Sequence, residues 1–409
     1  MSVPKKALLV ICDGLGDRPC KELTNKTPLE AAKKPNLNAL AKDGACGIMS
    51  PLGAGIRAGS DTAHLSIFGY NIKKYYLGRG PLEALGLKMQ LQQGDIAFRA
   101  NLATVDKKGV IIDRRAGRID NSEPFAELLN GMEIKGIKFI IKAGTAHRLA
   151  LVMRGKGLSP NISDSDPHKE GIKPLEIKPL DDSKEAAFTA KVLNEFLAKA
   201  HKILAGHKLN KGRKRQGLME ANFVLTRGAG VFKRIPSFEE RFRMKACCIA
   251  GAGLYKGIAR FIGMDVLDVE GATGKANTNI NAKISKAMEA LGEYDFVFVH
   301  IKGCDVFGHD GDAKGKKEFI ERIDSALKPL LKLKDVLVII TADHSTPCCM
   351  KDHSGDAVPV LLKGPSVRAD DVNEFTERTC AKGYYRFNSG IELMNEILNL
   401  MNKAELVGS

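Results

Sequence analysis

Three dominantly apolar runs stand out along the chain: residues 7–12, 296–301 and 336–341, rich in Val and Ile with Leu or Phe. Runs of this length without polar alternation predict strands buried on both faces. Helical periodicity falls between them, at 28–42 with Gly44 beyond its end, at 278–291 and at 316–331. Strands alternating with helices predict an α/β fold with a doubly wound, mostly parallel sheet. Each run is followed within four residues by an aspartate: Asp13, Asp305 and Asp343. In open α/β sheets ligands bind beyond the carboxyl ends of the strands. Parallel strands would therefore bring these carboxylates to one edge.

The middle of the chain is patterned differently. Shorter runs occur at 96–105, 110–113, 138–141, 148–153 and 221–225, with a long helical pattern at 183–204 and a loop rich in Pro, Asp and Ser at 159–179. This predicts a smaller α/β domain, residues 89–239, inserted into a core domain made of 1–88 and 240–409.

Chemistry concentrates behind the strands. Asp305 and His309 are spaced to share one face of a helical turn. Asp343-His344 follows a strand directly, and His353 lies shortly after. Mixed carboxylates and imidazoles suit Mn²⁺, Zn²⁺ or Co²⁺. Ser60 sits among small residues in Gly59-Ser60-Asp61-Thr62. Ser60 or Asp61 would cap a helix there, and a hydroxyl at a helix N-terminus is also well placed to meet an anion. Arg114, Arg115 and Arg118 fall within five residues, and His147-Arg148 and Arg227-Gly228 follow. Guanidinium forks bind carboxylate and phosphate in pairs of hydrogen bonds, so these arginines form a candidate anion clamp. Gly251-Ala-Gly253 is one residue off a dinucleotide fingerprint and lacks an acidic ribose partner. Gly271-Ala-Thr-Gly274-Lys275 is too short for a P-loop.

Composition narrows the class. The chain has 409 residues and a formal net charge of +15, which points to anionic partners such as phosphorylated metabolites. Nucleic acid is not favoured, because aromatic residues make up 6%, Trp is absent and no RNA- or DNA-binding motif occurs. No apolar run is long enough to cross a membrane, and the N-terminal run reads as a first strand, not a signal peptide. The nine cysteines, without a CxxC pair, suit a reducing cytoplasm. The sequence is compatible with a homo-oligomer and does not specify one.

Taken together, residues 11–19, 59–65, 75–86, 113–119, 163–171, 300–312 and 341–362 resemble the archaeal-type, cofactor-independent phosphoglycerate mutases of the alkaline phosphatase superfamily. The resemblance implies two divalent ions, manganese first and Zn²⁺, Co²⁺ or Mg²⁺ next, and no bisphosphoglycerate. Asp305, His309 and His353 would hold one ion; Asp13, Ser60, Asp343 and His344 the other. Ser60 would accept the phosphoryl group of 3-phosphoglycerate and return it to the other hydroxyl of glycerate. Lys256 would touch the transferring phosphoryl group. Arg114, Arg115, Arg118, Arg148 and Arg227 would hold the substrate, and His147 or Asp166 would shuttle a proton. Two local departures, Asn71-Ile72 where the family often has Asp-Pro and Gly303-Cys304 where it often has Ala-Thr, remove no ligand. A phosphomonoesterase or another phosphosugar mutase on the same core is the alternative reading.

Overall fold

In the computed structural model, residues 3–408 are described, and they form two compact units. Of these, the first comprises residues 3–76 and 235–408, the second residues 77–234. The division lies at 76/77 and 234/235, not at 88/89 and 239/240 as the patterning suggested. The helix Arg79–Gly86 accounts for the earlier start: it packs on strands Ile96–Val105 and Phe223–Val231 and so belongs to the inserted unit.

The first unit is built on an eight-stranded sheet. Its order is Asp265–Val266, Ala246–Ile249, Phe296–Ile301, Lys6–Cys12, Val336–Thr341, Val358–Lys363, Ala45–Met49 and Tyr385–Phe387. Only Val358–Lys363 runs antiparallel to its neighbours. The three apolar runs are the adjacent central strands, and Val10 stands level with both Val299 and Ile340. Their side chains are buried throughout, as expected for strands covered on both faces. This shared register brings Asp13, the turn before Asp305, and Asp343 to one end of the sheet.

The second unit has a six-stranded sheet whose pairings are all antiparallel. The helix Lys184–Gly206, capped by the Ser183 side chain, lays Val192, Leu193, Phe196 and Ala200 into its own core. There Phe196 stacks on Phe139 with ring centres 4.1 Å apart. No helix among the described residues is long and apolar enough to cross a membrane.

Candidate metal centre

The site in the first unit is assembled from strand ends and the turns behind them. Asp13 follows Lys6–Cys12, and Gly14 turns the chain with φ of +68°. A Cβ at Gly14 would lie 2.7 Å from Asp305 Cα, so only glycine lets the two turns meet. Asp305 and His309 lie on the helix Gly303–Asp310, on one face as their spacing predicted, with His309 Nε2 3.3 Å from Asp305 Oδ1. His353 Nε2 lies 3.4 Å from the same oxygen. His344 Nε2 lies 3.5 Å from Asp13 Oδ1 and 3.3 Å from Asp343 Oδ2.

Ser60 is the first residue of the helix Ser60–Ile67, and the cap position belongs to Gly59. The Ser60 hydroxyl is therefore not used as a cap. It lies 3.1 Å from His344 Nε2. Asp61 instead accepts from the Tyr76 hydroxyl at 2.8 Å and from the Thr62 N–H.

The far nitrogens of the imidazoles are all engaged. His309 Nδ1 meets the Lys351 carbonyl at 3.0 Å, and His353 Nδ1 meets that of Ala58 at 2.8 Å. His344 Nδ1 meets the Thr346 hydroxyl at 3.1 Å, which donates onward to Asp305 Oδ1 at 3.0 Å. A carbonyl can only accept, so Nδ1 carries the proton and Nε2 is the nitrogen left for a cation.

Electrostatics mark the same place. Asp13, Asp305 and Asp343 are all buried, at 0%, 3% and 0% exposure. Asp13 Oδ1 and Asp343 Oδ2 have no hydrogen-bond partner among the described residues. A buried carboxylate oxygen without a donor is costly unless a cation meets it. Burial, then the charge of Asp13, pushes the Asp343 carboxyl up. Burial pushes the His344 imidazole down to about 4, which keeps it neutral and able to ligate. Orphaned oxygens and oriented imidazoles thus fit divalent cations. Two ligand groups form, Asp305 with His344 and His353, and Asp13 with Asp343 and His344. His344 is common to both, with His309 beside the first and Ser60 beside the second.

The other oxygen of Asp13 is saturated. His300 Nε2 donates to Asp13 Oδ2 at 2.9 Å, the Lys302 ammonium at 3.2 Å, and the Tyr255 hydroxyl donates as well. Lys302 also donates to Asp305 Oδ2 at 2.7 Å. Sequence reasoning missed all three of these residues. A histidine inside an otherwise apolar strand, and a lysine at that strand's end, were the signals available. Lys256, expected near the reacting phosphoryl group, pairs instead with Asp268 at 2.6 Å.

The second unit gathers arginines. Arg114 grips Asp166 with two hydrogen bonds, at 2.9 and 2.7 Å, and Arg227 lies 3.9 Å from the same carboxylate. Both guanidinium groups also reach His168 Nδ1, each at 3.3 Å. A cavity of about 230 Å³ is lined by Arg79, Arg99, Asp164, Arg227 and Gly228. Arg99, on the strand Ile96–Val105, has an Nε without a partner among the described residues. Burial, helped by neighbouring Arg227, Arg79 and Arg148, pushes its guanidinium down to about 9. Glu83 pairs with Arg79 at 3.0 Å and Arg99 at 3.6 Å, and the half-buried guanidinium groups in excess of it suit an anion. Burial, then Arg148, Arg115 and Arg99, pushes His147 down to about 4, and its Nδ1 lacks a partner. Arg115, Arg118 and Arg148 are exposed. Arg79, Arg99 and His168 were not foreseen. An arginine within a buried strand was the clue to Arg99.

The family model of the Metalloenzyme superfamily matches residues 5–395. A 2,3-bisphosphoglycerate-independent phosphoglycerate mutase 1 of Methanocaldococcus jannaschii is 49% identical over 409 residues, covering 99% of each chain. A 2,3-bisphosphoglycerate-independent phosphoglycerate mutase of Picrophilus torridus is 47% identical, covering 99% of this chain and 100% of its own. Among solved structures, the cofactor-independent phosphoglycerate mutase of Thermoplasma acidophilum is 41% identical, covers 97% of this chain and 99% of its own, and superposes with a TM-score of 0.73. A protein of Pyrococcus horikoshii, 38% identical and matched over 100% of both chains, gives 0.87. On this evidence the chain belongs to the 2,3-bisphosphoglycerate-independent phosphoglycerate mutases of the metalloenzyme superfamily.

Proposed function

We propose that the chain interconverts 3-phosphoglycerate and 2-phosphoglycerate without bisphosphoglycerate, through a phosphoserine at Ser60, as a cytoplasmic step of glycolysis and gluconeogenesis. The observation that carries the serine's role is its placement: an uncapped hydroxyl 3.1 Å from His344 Nε2, beside two orphaned carboxylate oxygens. Two divalent ions, manganese first as the family resemblance implies and Zn²⁺, Co²⁺ or Mg²⁺ next, would be held by Asp305, His309 and His353, and by Asp13, Ser60, Asp343 and His344. When bound they lower the pKa of the serine hydroxyl and offset charge on the transferring phosphoryl group.

The chain's own residues supply the rest. Ser60 attacks phosphorus, and the glycerate oxygen leaves with the bond it held. Arg114, Arg115, Arg118, Arg148 and Arg227 hold the glycerate carboxylate and the phosphoryl oxygens. Retaining glycerate makes the return transfer intramolecular, and excluding water protects phosphoserine from hydrolysis. Of the proton carriers, His147 is favoured over Asp166. The Asp166 carboxylate is already gripped by Arg114 and, despite burial, is held below its ordinary value. His147 is neutral with an open Nδ1. An anion among the arginines would raise its affinity for a proton as substrate binds. Lys256 would contact the phosphoryl group only after leaving Asp268.

The test supplies 3-phosphoglycerate and excess enolase, omits bisphosphoglycerate, and compares Mn²⁺ with EDTA for wild type and Ser60→Ala. Mn²⁺-dependent turnover absent in S60A is expected. Release of free phosphate in its place would identify a phosphomonoesterase, and RNA binding with neither activity would overturn the enzyme reading.

A further inference from the structure

Asp13 and Asp305 belong to different ligand groups, yet one ammonium joins them. Lys302 stands between the strand Phe296–Ile301 and the helix Gly303–Asp310, as the residue that caps the helix. Its Nζ lies 2.7 Å from Asp305 Oδ2, 3.2 Å from Asp13 Oδ2 and 3.1 Å from the Tyr255 hydroxyl. Tyr255 is held in turn by stacking on His300, with ring centres 3.4 Å apart, and both donate to Asp13 Oδ2. The oxygens of each aspartate are thereby divided. Oδ2 of both goes to protein donors, and Asp305 Oδ1 accepts in addition only the Thr346 hydroxyl at 3.0 Å among the hydrogen bonds of the described residues. Oδ1 of Asp13 faces His344, and Oδ1 of Asp305 faces His309 and His353.

From this division we infer that Lys302 is a spacer cation, a positioning residue that gives each aspartate a single oxygen to offer and keeps the two ligand groups separate. The inference rests on the two-ion reading above. Without the ammonium, Asp305 is free to chelate one ion with both oxygens or to swing toward its neighbour's ion, while Asp13 Oδ2 keeps only His300 and Tyr255. Lys302 has a second consequence. It is a permanent positive charge beside three buried carboxylates, and its side chain is 24% exposed. When ions are absent it remains as their counter-charge, and a carboxylate cluster that loses the ammonium bonded to two of its members is strongly destabilised.

The test uses the full-length chain as wild type, K302M, K302R and Y255F. Each is stripped with EDTA and then reloaded with Mn²⁺. Three readouts are taken: the thermal midpoint of both forms, Mn²⁺ bound per chain by equilibrium dialysis, and the paramagnetic resonance of the coupled Mn²⁺ pair. Stripped K302M is expected to melt roughly 10 °C below stripped wild type. Mn²⁺ should close most of that gap, because bound ions replace the missing charge. By linkage, ions that close the gap must favour the variant, so reloaded K302M should bind its first ion more tightly than wild type, bind the second about 10- to 100-fold more weakly, and show an altered pair spectrum. K302R keeps the charge and gives up the fit. It should melt with wild type when stripped while still losing affinity for the second ion, and Y255F should do the same to a smaller degree.

A K302M that melts with wild type when stripped overturns the inference. So does one whose deficit is the same with and without Mn²⁺, since that marks a merely structural lysine. A K302R with unchanged ion binding overturns it as well. A wild-type chain that binds two ions but turns over no phosphoglycerate counts against the proposed function and leaves the spacer standing.

Discussion

His147 shows how a single residue reports on its surroundings. Its imidazole is pushed down to about 4 by burial and by Arg148, Arg115 and Arg99. The sign of the consequence follows from proton counting. Between the ordinary histidine value near 6.5 and about 4, the unfolded chain takes up a proton that the folded imidazole refuses. Stability from this residue is therefore complete above the upper value and declines as pH falls through the window. Replacing His147 with Gln is expected to flatten that decline, read as a smaller loss of urea midpoint between pH 7 and pH 5 than wild type shows. A substrate analogue carrying carboxylate and phosphate should also flatten it in wild type, since an anion among the arginines removes part of the repulsion. The individual candidate ligands, which the structure brings together, were legible because acids and imidazoles after apolar runs are rare in combination. Their supports were not. Tyr255, His300 and Lys302 meet at one oxygen of Asp13, and nothing local in their segments announces that meeting. His300 read as part of a strand, which it is.

Elements were most legible where burial alone dictates the pattern. The three central strands match their apolar runs residue for residue in two cases and to within one in the third. Helices fared less evenly. The pattern read as one helix over 28–42 is two, Pro28–Ala31 and Pro35–Lys42, because Pro35 removes an N–H and excludes helical conformation before it. The helix expected over 316–331 begins at Ala313, capped by Asp312, and gives way at Leu327 to a tighter turn containing Pro329. The helix Gly303–Asp310 shows how closely an element is seated at the site. A Cβ at Gly308 would lie 2.4 Å from the Thr346 carbonyl oxygen. That is a backbone atom of the same residue whose hydroxyl links His344 to Asp305. Gly308→Ala is expected to lever the helix outward, costing about 1–3 kcal/mol. Because Asp305 and His309 ride on this helix, Mn²⁺ affinity should fall along with the melting temperature. A G308A protein that melts lower but binds Mn²⁺ normally would show that the helix moves without carrying its ligands.

At the scale of the whole molecule, two units share one chain, and the second begins and ends at neighbouring points. A Cβ on Gly230 would lie 2.2 Å from the Leu77 carbonyl, so the first turn of the insertion touches its last strand. The unit owns a core, in which the long helix Lys184–Gly206 covers an antiparallel sheet. Adjacent termini and a private core are the conditions under which an inserted domain folds without its host. Residues 77–234 expressed alone are therefore expected to unfold in one cooperative thermal transition and to bind no Mn²⁺, since every residue of the two ligand groups lies in the other unit. They should still bind small carboxylate and phosphate anions through Arg79, Arg99, Arg114 and Arg227, with affinity falling as salt rises. Titration calorimetry with D-glycerate at two ionic strengths reads this directly. A fragment that folds yet ignores the anion would mean that the arginine cluster does not by itself recognise glycerate. A fragment without a cooperative transition would mean that the core of the second unit depends on its host.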